Sequence, residues 1–439
     1  MAGIFKAYDI RGIYGDDFTE AVIHDIGRAF VTFLGCKKVV IGRDMRPHSQ
    51  PLFEALAAGI TRQGADVVDL GVVSTPMAYH GTAKLGADAG IMLTASHNPG
   101  EWNGTKLTRE QAIPISGATG IQDIERIVNE GSFTPEAQAP GSVSTYDVIP
   151  EYVAYVQSKA ELARPVHLAI DMANGMGIIE AEALAGTVTF DGLFDELDGS
   201  FPNHEANPLK ESTLVDIQKM TREGSYDFGV AYDGDADRAG FIDEKGQIVP
   251  MDIITALIAK DVLRHDKGTF LYDLRSSRAV REIIEENGGR AVMCRVGHAF
   301  IKQQMREEDA VFAGELSGHY YFRDNFFTES SSKAILCVAN IVSQSDKPLS
   351  ELVAPIKRYF ASGEINSEVE DTAVVLERIR QSFPEGRHFE LDGASVELDD
   401  FWFNVRGSNT EPLIRLNLEA VSQELMEAKR DEVLALIRG

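Results

Sequence analysis

Cysteine is scarce in this chain of 439 residues. Cys36, Cys294 and Cys337 are odd in number and widely spaced, which argues against a disulfide framework or a cysteine zinc site and fits a reducing cytoplasm. Positive charge is also in short supply: 42 Lys and Arg stand against 68 Asp and Glu, a formal net charge of -26. That excess favours solubility and opposes non-specific attraction to nucleic acid or an anionic membrane, so neither is expected as a partner. An anionic ligand would need a local basic pocket. Long apolar runs are missing too, none approaching the ~20 residues needed to span a bilayer. The opening Met1–Asp9 has no basic segment ahead of an apolar core, and the expectation is a protein neither exported nor membrane-embedded.

What is present is ordinary globular material, 44% hydrophobic and 25% charged. The length exceeds what one hydrophobic core usually supports, so two to four domains are expected. Strands are predicted at 37–44, 65–70 and 89–93, with helices at 50–63 and 79–85, an α/β alternation. The Pro-, Gly-, Ser- and Ala-rich stretch 132–144 is the best linker candidate. A second unit reads as strand 167–171, helix 178–185, strand 187–190, helix 212–223 and strand 228–232. A third reads as helix 253–263, strand 269–273, helix 279–286, strand 291–296, helix 299–307 and strand 310–313, closed by helix 331–342. Three times an apolar strand empties into a polar loop, at 95–99, 233–238 and 314–319, which reads as weak triplication of one α/β design. A charged connection through Ser362-Gly-Glu-Ile-Asn366 leads to a strand-rich end with a helix at 424–437.

Four loops carry chemistry. Thr94-Ala-Ser-His-Asn-Pro99 puts the Ser96 hydroxyl just past the end of an apolar strand, where ligands bind in open α/β sheets. Asp233-Gly-Asp-Ala-Asp237-Arg238 sets alternate carboxylates leaving a strand, able to converge on one hard cation. Magnesium is the natural choice if phosphate is a co-ligand. Calcium is the rival, since Asp233, Asp235, Asp237 and Glu244 match EF-hand positions; Arg238 where that loop needs glycine, and strand-like flanks, argue against it. Gly314-Glu-Leu-Ser-Gly-His319 offers a carboxylate, a hydroxyl and an imidazole suited to vicinal sugar hydroxyls. Arg406-Gly-Ser-Asn-Thr410, with Arg415, has the makings of a phosphate cradle. Asn174-Gly-Met-Gly177 lacks the third glycine of a dinucleotide fingerprint, and turn geometry is the better reading.

In this order the four loops resemble those of the α-D-phosphohexomutase superfamily, its bacterial phosphomannomutase/phosphoglucomutase branch above all. Ala7–Gly12, Asp198-Gly-Ser-Phe-Pro202 and Gly297-His-Ala-Phe-Ile-Lys302 support the likeness, which covers nearly the whole chain. The resemblance implies three related α/β domains with mixed sheets (1–145, 146–249 and 250–361) and a C-terminal α+β domain (362–439) around a central cleft. It implies an isomerase in which Ser96 carries a phosphoryl group and Mg²⁺ is held by Asp233, Asp235, Asp237 and an oxygen on Ser96. Mannose 6-phosphate and mannose 1-phosphate are then interconverted, with glucose 1,6-bisphosphate or mannose 1,6-bisphosphate as activator. Phosphoglucomutase or dual specificity is the alternative, and phosphoglucosamine mutase is disfavoured by Leu316. Arg11, His97, Lys106, Arg238 and His319 are implied near the reacting oxygens. Arg275, His298, Glu315, Ser317, Arg406, Ser408, Asn409, Thr410 and Arg415 are implied as substrate contacts. The other expectations are hexose phosphates as small-molecule partners, a cytoplasmic location and a monomer or homodimer. The sequence departs from the family pattern at Arg275, Leu316 and Phe327-Thr-Glu-Ser-Ser331.

Overall fold

Residues 3–407 and 413–439 are described by the structure, a computed structural model; Ser408, Asn409 and Thr410 lie outside the described residues. Four sheets follow one another along the chain. In the first, the parallel strands Ala89–Leu93, Lys38–Arg43, Asp66–Val72 and Val143–Thr145 are joined by the antiparallel Trp102–Arg109 and Ile10–Ile13. The second runs Thr189–Leu193, His167–Asp171, Phe228–Tyr232, Ala239–Ile242, Ile248–Val249, and the third Arg290–Cys294, Thr269–Asp273, Phe312–Gly314, Tyr320–Phe322, Thr328–Glu329.

These three sheets share one plan. Each central parallel strand has a second parallel strand on one side and a third on the other, and the third turns back as an antiparallel strand. The turn-back links are 94–101, 233–238 and 315–319, so the triplication read from the polar loops is present in the topology. The fourth sheet is antiparallel throughout among the described residues: Phe360–Glu368, Leu413–Ala420, Phe401–Gly407, Ala394–Glu397 and Arg387–Phe389.

Several predicted elements shift. Stretch 132–144 is tied down: Val143–Thr145 pairs with Asp66–Val72, and Gly141 donates to the Thr61 carbonyl. Small residues there permit close packing on a sheet edge as readily as they permit a linker. The helix expected at 178–185 is a four-residue turn, Gly177–Glu180, followed by a 3₁₀ turn. The charged connection is part of strand Phe360–Glu368, and helix Thr372–Ser382 gives the last unit a layer the sequence reading lacked.

The helix expected at 79–85 begins earlier, at Thr75, capped by the Ser74 hydroxyl with Pro76 in its first turn. It runs to Lys84, and every residue from Thr75 to Ala83 is buried. A helix buried on every face belongs in an interior, and this one, which carries Thr75, His80 and Thr82 among its buried residues, is wedged between units. Ser74 donates to Glu180 at 2.5 Å, and Tyr152 and Ser332 also donate to that buried residue. Tyr79 faces the Lys302 ammonium at 3.8 Å, and Lys302 pairs with Glu329 at 2.6 Å, both side chains fully buried. Ser331 donates to the Ala236 carbonyl. Thus the departure at Thr328-Glu329-Ser330-Ser331 is a polar seam joining the third unit to the first two. One continuous core runs through all three, from Val40 and Met77 through Leu168 and Phe228 to Ile254 and Phe312. The fourth unit has a core of its own around Phe403, Leu416 and Val433.

His80 on the wedged helix bonds Asn325 at 3.1 Å and packs against the Tyr152, Tyr155 and Phe326 rings. Burial pushes it below the ordinary value of 6.5, and the Asn325 bond offsets this only partly. The unfolded chain therefore takes up this proton first: His80 costs nothing above about pH 6.5 and destabilises the fold increasingly as pH falls below it. Urea midpoints measured at pH 8 and pH 5 should show a smaller acid loss in His80→Gln than in the parent.

Candidate active site

Ser96 is 1% exposed and sits with φ +51, a strained backbone setting at the end of an apolar strand. Its hydroxyl donates to Asp233 Oδ2 at 2.9 Å and lies 3.2 Å from His97 Nδ1. Asp233 is the first residue past strand Phe228–Tyr232, so this bond ties the serine loop of the first unit to the second. The loops touch through backbone as well: a methyl group on Gly234 would lie 2.3 Å from the Ser96 carbonyl oxygen. Glycine is required there by the approach itself.

Asp233, Asp235 and Asp237 are all buried and can bring one oxygen each within 4.8 Å of one another. Among the described residues, Asp235 Oδ1 and Asp237 Oδ1 have no hydrogen-bond partner. Like charges so confined need neutralising. Lys106 supplies an ammonium 2.6 Å from Asp235 Oδ2 and 2.5 Å from Asp237 Oδ2. Arg238 Nε stands 3.6 Å from Asp233 Oδ2 and 3.9 Å from Asp237 Oδ1. Even so, burial and then the two neighbouring carboxylates hold Asp233 well above the usual carboxylate range. Burial works the same way on Asp237, but Lys106 and then His319 outweigh it and hold that group low. Hard oxygens in a tight group, two of them unpartnered, with a hydroxyl alongside, are the donor set a magnesium ion takes.

The third unit closes the site from another side. His319 Nε2 is 3.3 Å from Asp237 Oδ1, and Nδ1 is 3.1 Å from Glu315 Oε2. Burial opposes its charge, yet Asp237 and Glu315 push the imidazole up to about 9. His97 goes the opposite way: burial, Arg238 and Arg11 push it down to about 2, so it is neutral and able to accept a proton bond. The two histidines beside one carboxylate cluster are thereby set in different protonation states. Glu315 also accepts from Tyr321 at 2.6 Å, and Ser317 Oγ lies 2.9 Å from His319 Nδ1. Arg275 is clamped by Asp273, with Nη2 2.7 Å from Oδ2. His298 is partly buried and edge-on to Tyr8, and its Nδ1 has no hydrogen-bond partner among the described residues. Arg11 donates to Asn98 Oδ1 at 2.7 Å and the Ala95 carbonyl at 3.2 Å, which places it on the Ser96 loop. In the fourth unit Arg406 and Arg415 both face Glu364.

Sequence reading missed two residues. Thr75 donates its hydroxyl to Asp235 Oδ2 at 2.6 Å and its amide to the Asp235 carbonyl at 3.0 Å. The capping pattern Ser74-Thr-Pro76 could have placed that helix start, though not its target. Arg46, 2% exposed, is the other. Its guanidinium donates to the carbonyls of Ser96, Asn98, Pro99 and Trp102 and to the Asp44 carboxylate. It clasps the serine loop from beneath. Each acceptor stranded by its removal would cost about 1–3 kcal/mol. In Arg46→Ala, amide hydrogen exchange across 95–102 should accelerate at least about tenfold as several such bonds are lost. Arg46→Lys should restore little, since an ammonium has three donors and no planar fork.

Models of the phosphoglucomutase/phosphomannomutase family match the chain in succession: alpha/beta/alpha domain I over residues 2–135, domain II over 150–246, domain III over 250–359 and the C-terminal domain over 364–436. A phosphomannomutase of Escherichia coli is 41% identical over 450 residues, covering 99% of each chain. One from Methanocaldococcus jannaschii is 39% identical over 442 residues, covering 99% of this chain and 97% of its own. Among solved structures, a phosphoglucomutase/phosphomannomutase family protein of Burkholderia thailandensis superposes with a TM-score of 0.92 at 31% identity, covering 99% of this chain and 97% of that one. With all four domain models matched in succession and such likeness from end to end, this chain belongs to the phosphoglucomutase/phosphomannomutase family.

Proposed function

We propose that this protein is a phosphomannomutase, interconverting mannose 6-phosphate and mannose 1-phosphate through a phosphoryl group on Ser96 and a hexose 1,6-bisphosphate intermediate. The observation that carries the reading is the Ser96 hydroxyl held 2.9 Å from Asp233, inside a buried cluster of three carboxylates. The full-length relatives named phosphomannomutase supply the sugar. Phosphoglucomutase or dual activity is the second reading, favoured by similar proteins of Xanthomonas campestris named phosphohexose mutases, 37% identical.

In this reading a free hydroxyl of the hexose monophosphate attacks phosphorus on Ser96. The bond from phosphorus to the serine oxygen breaks, the bond to the sugar oxygen forms, and the hydroxyl proton passes to a neighbouring base. The bisphosphate turns over and returns its other phosphoryl group to Ser96 by the reverse chemistry, with glucose or mannose 1,6-bisphosphate priming the serine. Asp233, Asp235, Asp237 and an oxygen on Ser96 would hold Mg²⁺, which when bound offsets charge on the transferring group. Arg238 and Lys106 add fixed positive charge at the same point. Lys106 would then share Asp235 and Asp237 with the ion. His97, neutral and beside Ser96, and His319, protonated and beside Asp237, supply proton acceptor and donor. Arg11 holds the loop and presents a guanidinium. Glu315 and Ser317 take the sugar hydroxyls, with His298 beside them. Arg275, Arg406 and Arg415, together with Ser408, Asn409 and Thr410, grip the phosphate that is not reacting.

The units doing this work are 1–145, 146–249, 250–361 and 362–439. We place the protein in the cytoplasm as a monomer or homodimer; its cysteines are unpaired, and no helix among the described residues is long and apolar enough to cross a membrane.

A coupled assay with mannose, glucose and glucosamine 1-phosphates, bisphosphate and Mg²⁺ tests the sugar. Mannose 1-phosphate should turn over fastest, and more than about tenfold preference corresponds to ~1.4 kcal/mol in the transition state. Ser96→Ala should lose at least about 10³-fold in turnover, as removal of a covalent nucleophile does, and mass spectrometry should find one acid-stable phosphate on the parent and none on the variant. A fully active alanine variant would end the proposal.

A further inference from the structure

Arg406 and Arg415 stand directly opposite each other on neighbouring strands of the fourth sheet. Like charges in that position repel. Arg406 is also deeply set, its side chain 7% exposed, and burial makes its charge harder to keep. What compensates is Glu364. One carboxylate oxygen is paired with Arg406 Nη2, the other lies 3.5 Å from Arg415 Nη1, and Asn417 Nδ2 is 3.5 Å from the first. The backbone is built to deliver it: strand Phe360–Glu368 breaks register between Ala361 and Glu364, with Gly363 at φ +67. An irregularity of this kind re-aims a side chain at the cost of ladder pairing. The Glu364 side chain is 28% exposed, near enough to water to swing away, and Arg275 lies close enough for each to shift the other's ionisation.

We infer that Glu364 is a tethered stand-in for phosphate: it holds Arg406 and Arg415 together when no substrate phosphate is present and competes with that phosphate when one arrives. This rests on the mutase reading and deepens it. A mutase must hold the distal phosphate during one transfer and let go before the bisphosphate can turn over. Two arginines alone would bind phosphate tightly in both states. A carboxylate that re-enters as phosphate leaves stabilises the empty cradle, which lowers affinity and speeds release by the same interaction. Glu364 is in this sense a positioning residue; it touches the arginines and takes no part in the bond changes.

The test uses the full chain and two readouts. Inorganic phosphate binding, measured by calorimetry, should tighten about five- to tenfold in Glu364→Gln, the size expected for losing a partly screened competing charge. In the mutase assay the same variant should show kcat falling several-fold as release slows and KM falling at least as far, so that kcat/KM does not drop. Glu364→Asp, which keeps the charge on a shorter arm, should lie between variant and parent in both. Phosphate affinity unchanged or weakened in Glu364→Gln, or a raised KM at parental kcat, would overturn the inference. A parent that turns over no hexose phosphate would sink the mutase reading, while the phosphate titration would still decide whether Glu364 competes for the arginines.

Discussion

Three carboxylates buried beside one serine are the constraint on which the molecule's organisation turns. Carboxylates taken out of water must meet cations or lose their charge, and the cations come from different units. Lys106 arrives on a strand of the first sheet, Arg238 from the end of the acidic loop itself, and His319 from the third unit. No single unit neutralises the cluster. The neutralised centre therefore depends on the first three units together, and the electrostatic penalty of any misplacement falls beside Ser96.

The repeated topology explains how three loops come to meet. In each of the first three sheets the chemistry-bearing loop links the third parallel strand to the antiparallel one beside it, so it projects from the same edge of the same design. Turning three such edges inward brings a hydroxyl, a carboxylate cluster and the Glu315–His319 pair together. The wedged helix Thr75–Lys84 fixes the angle. Its first residue bonds Asp235, and Tyr79 rests on the buried Lys302–Glu329 pair. Both of those partners lie in the third unit, so packing and polar contacts orient the same surfaces.

Much of this was readable in one dimension because its signals are local. An apolar strand followed by alternate aspartates, or by Ser-His-Asn-Pro, marks both an element and its exit; strands 167–171, 228–232 and 269–273 fall as expected. What could not be read depends on partners distant in the chain. Arg46 carries no signal in the sequence; only the fold closes four carbonyls from 96–102 around it. Lys106 lies ten residues past Ser96 in the chain, but only the fold directs its ammonium to Asp235 and Asp237. The segment 132–144 has a linker's composition and still adds a sheet strand, since exposed edges accept small residues as readily as solvent does. Phe327–Ser331 departs from the family pattern by resemblance, yet Ser330 and Ser331 each find a partner in the second unit, and Glu329 pairs with Lys302 beneath Tyr79 of the first.

The contrast between the first three units and the fourth completes the physical picture. A continuous apolar core fuses the former, and large buried apolar interfaces resist relative motion. The fourth is docked on the third through polar contacts: Arg278 to the Leu398 carbonyl and Glu419, and Arg281 to Glu397. Of these contacts the partly exposed Arg281–Glu397 pair is worth little, while Arg278 and Glu419 meet out of water. A rigid centre and a loosely held phosphate grip are opposite mechanical requirements, and a mutase needs both: atoms at phosphorus must stay aligned through transfer, whereas the distal phosphate must be gripped and then freed within each turnover. Placing apolar burial at the first boundary and ion pairs at the second meets both with one chain, and it puts the exchangeable charges, Arg406, Arg415 and Glu364, on the side that is least constrained.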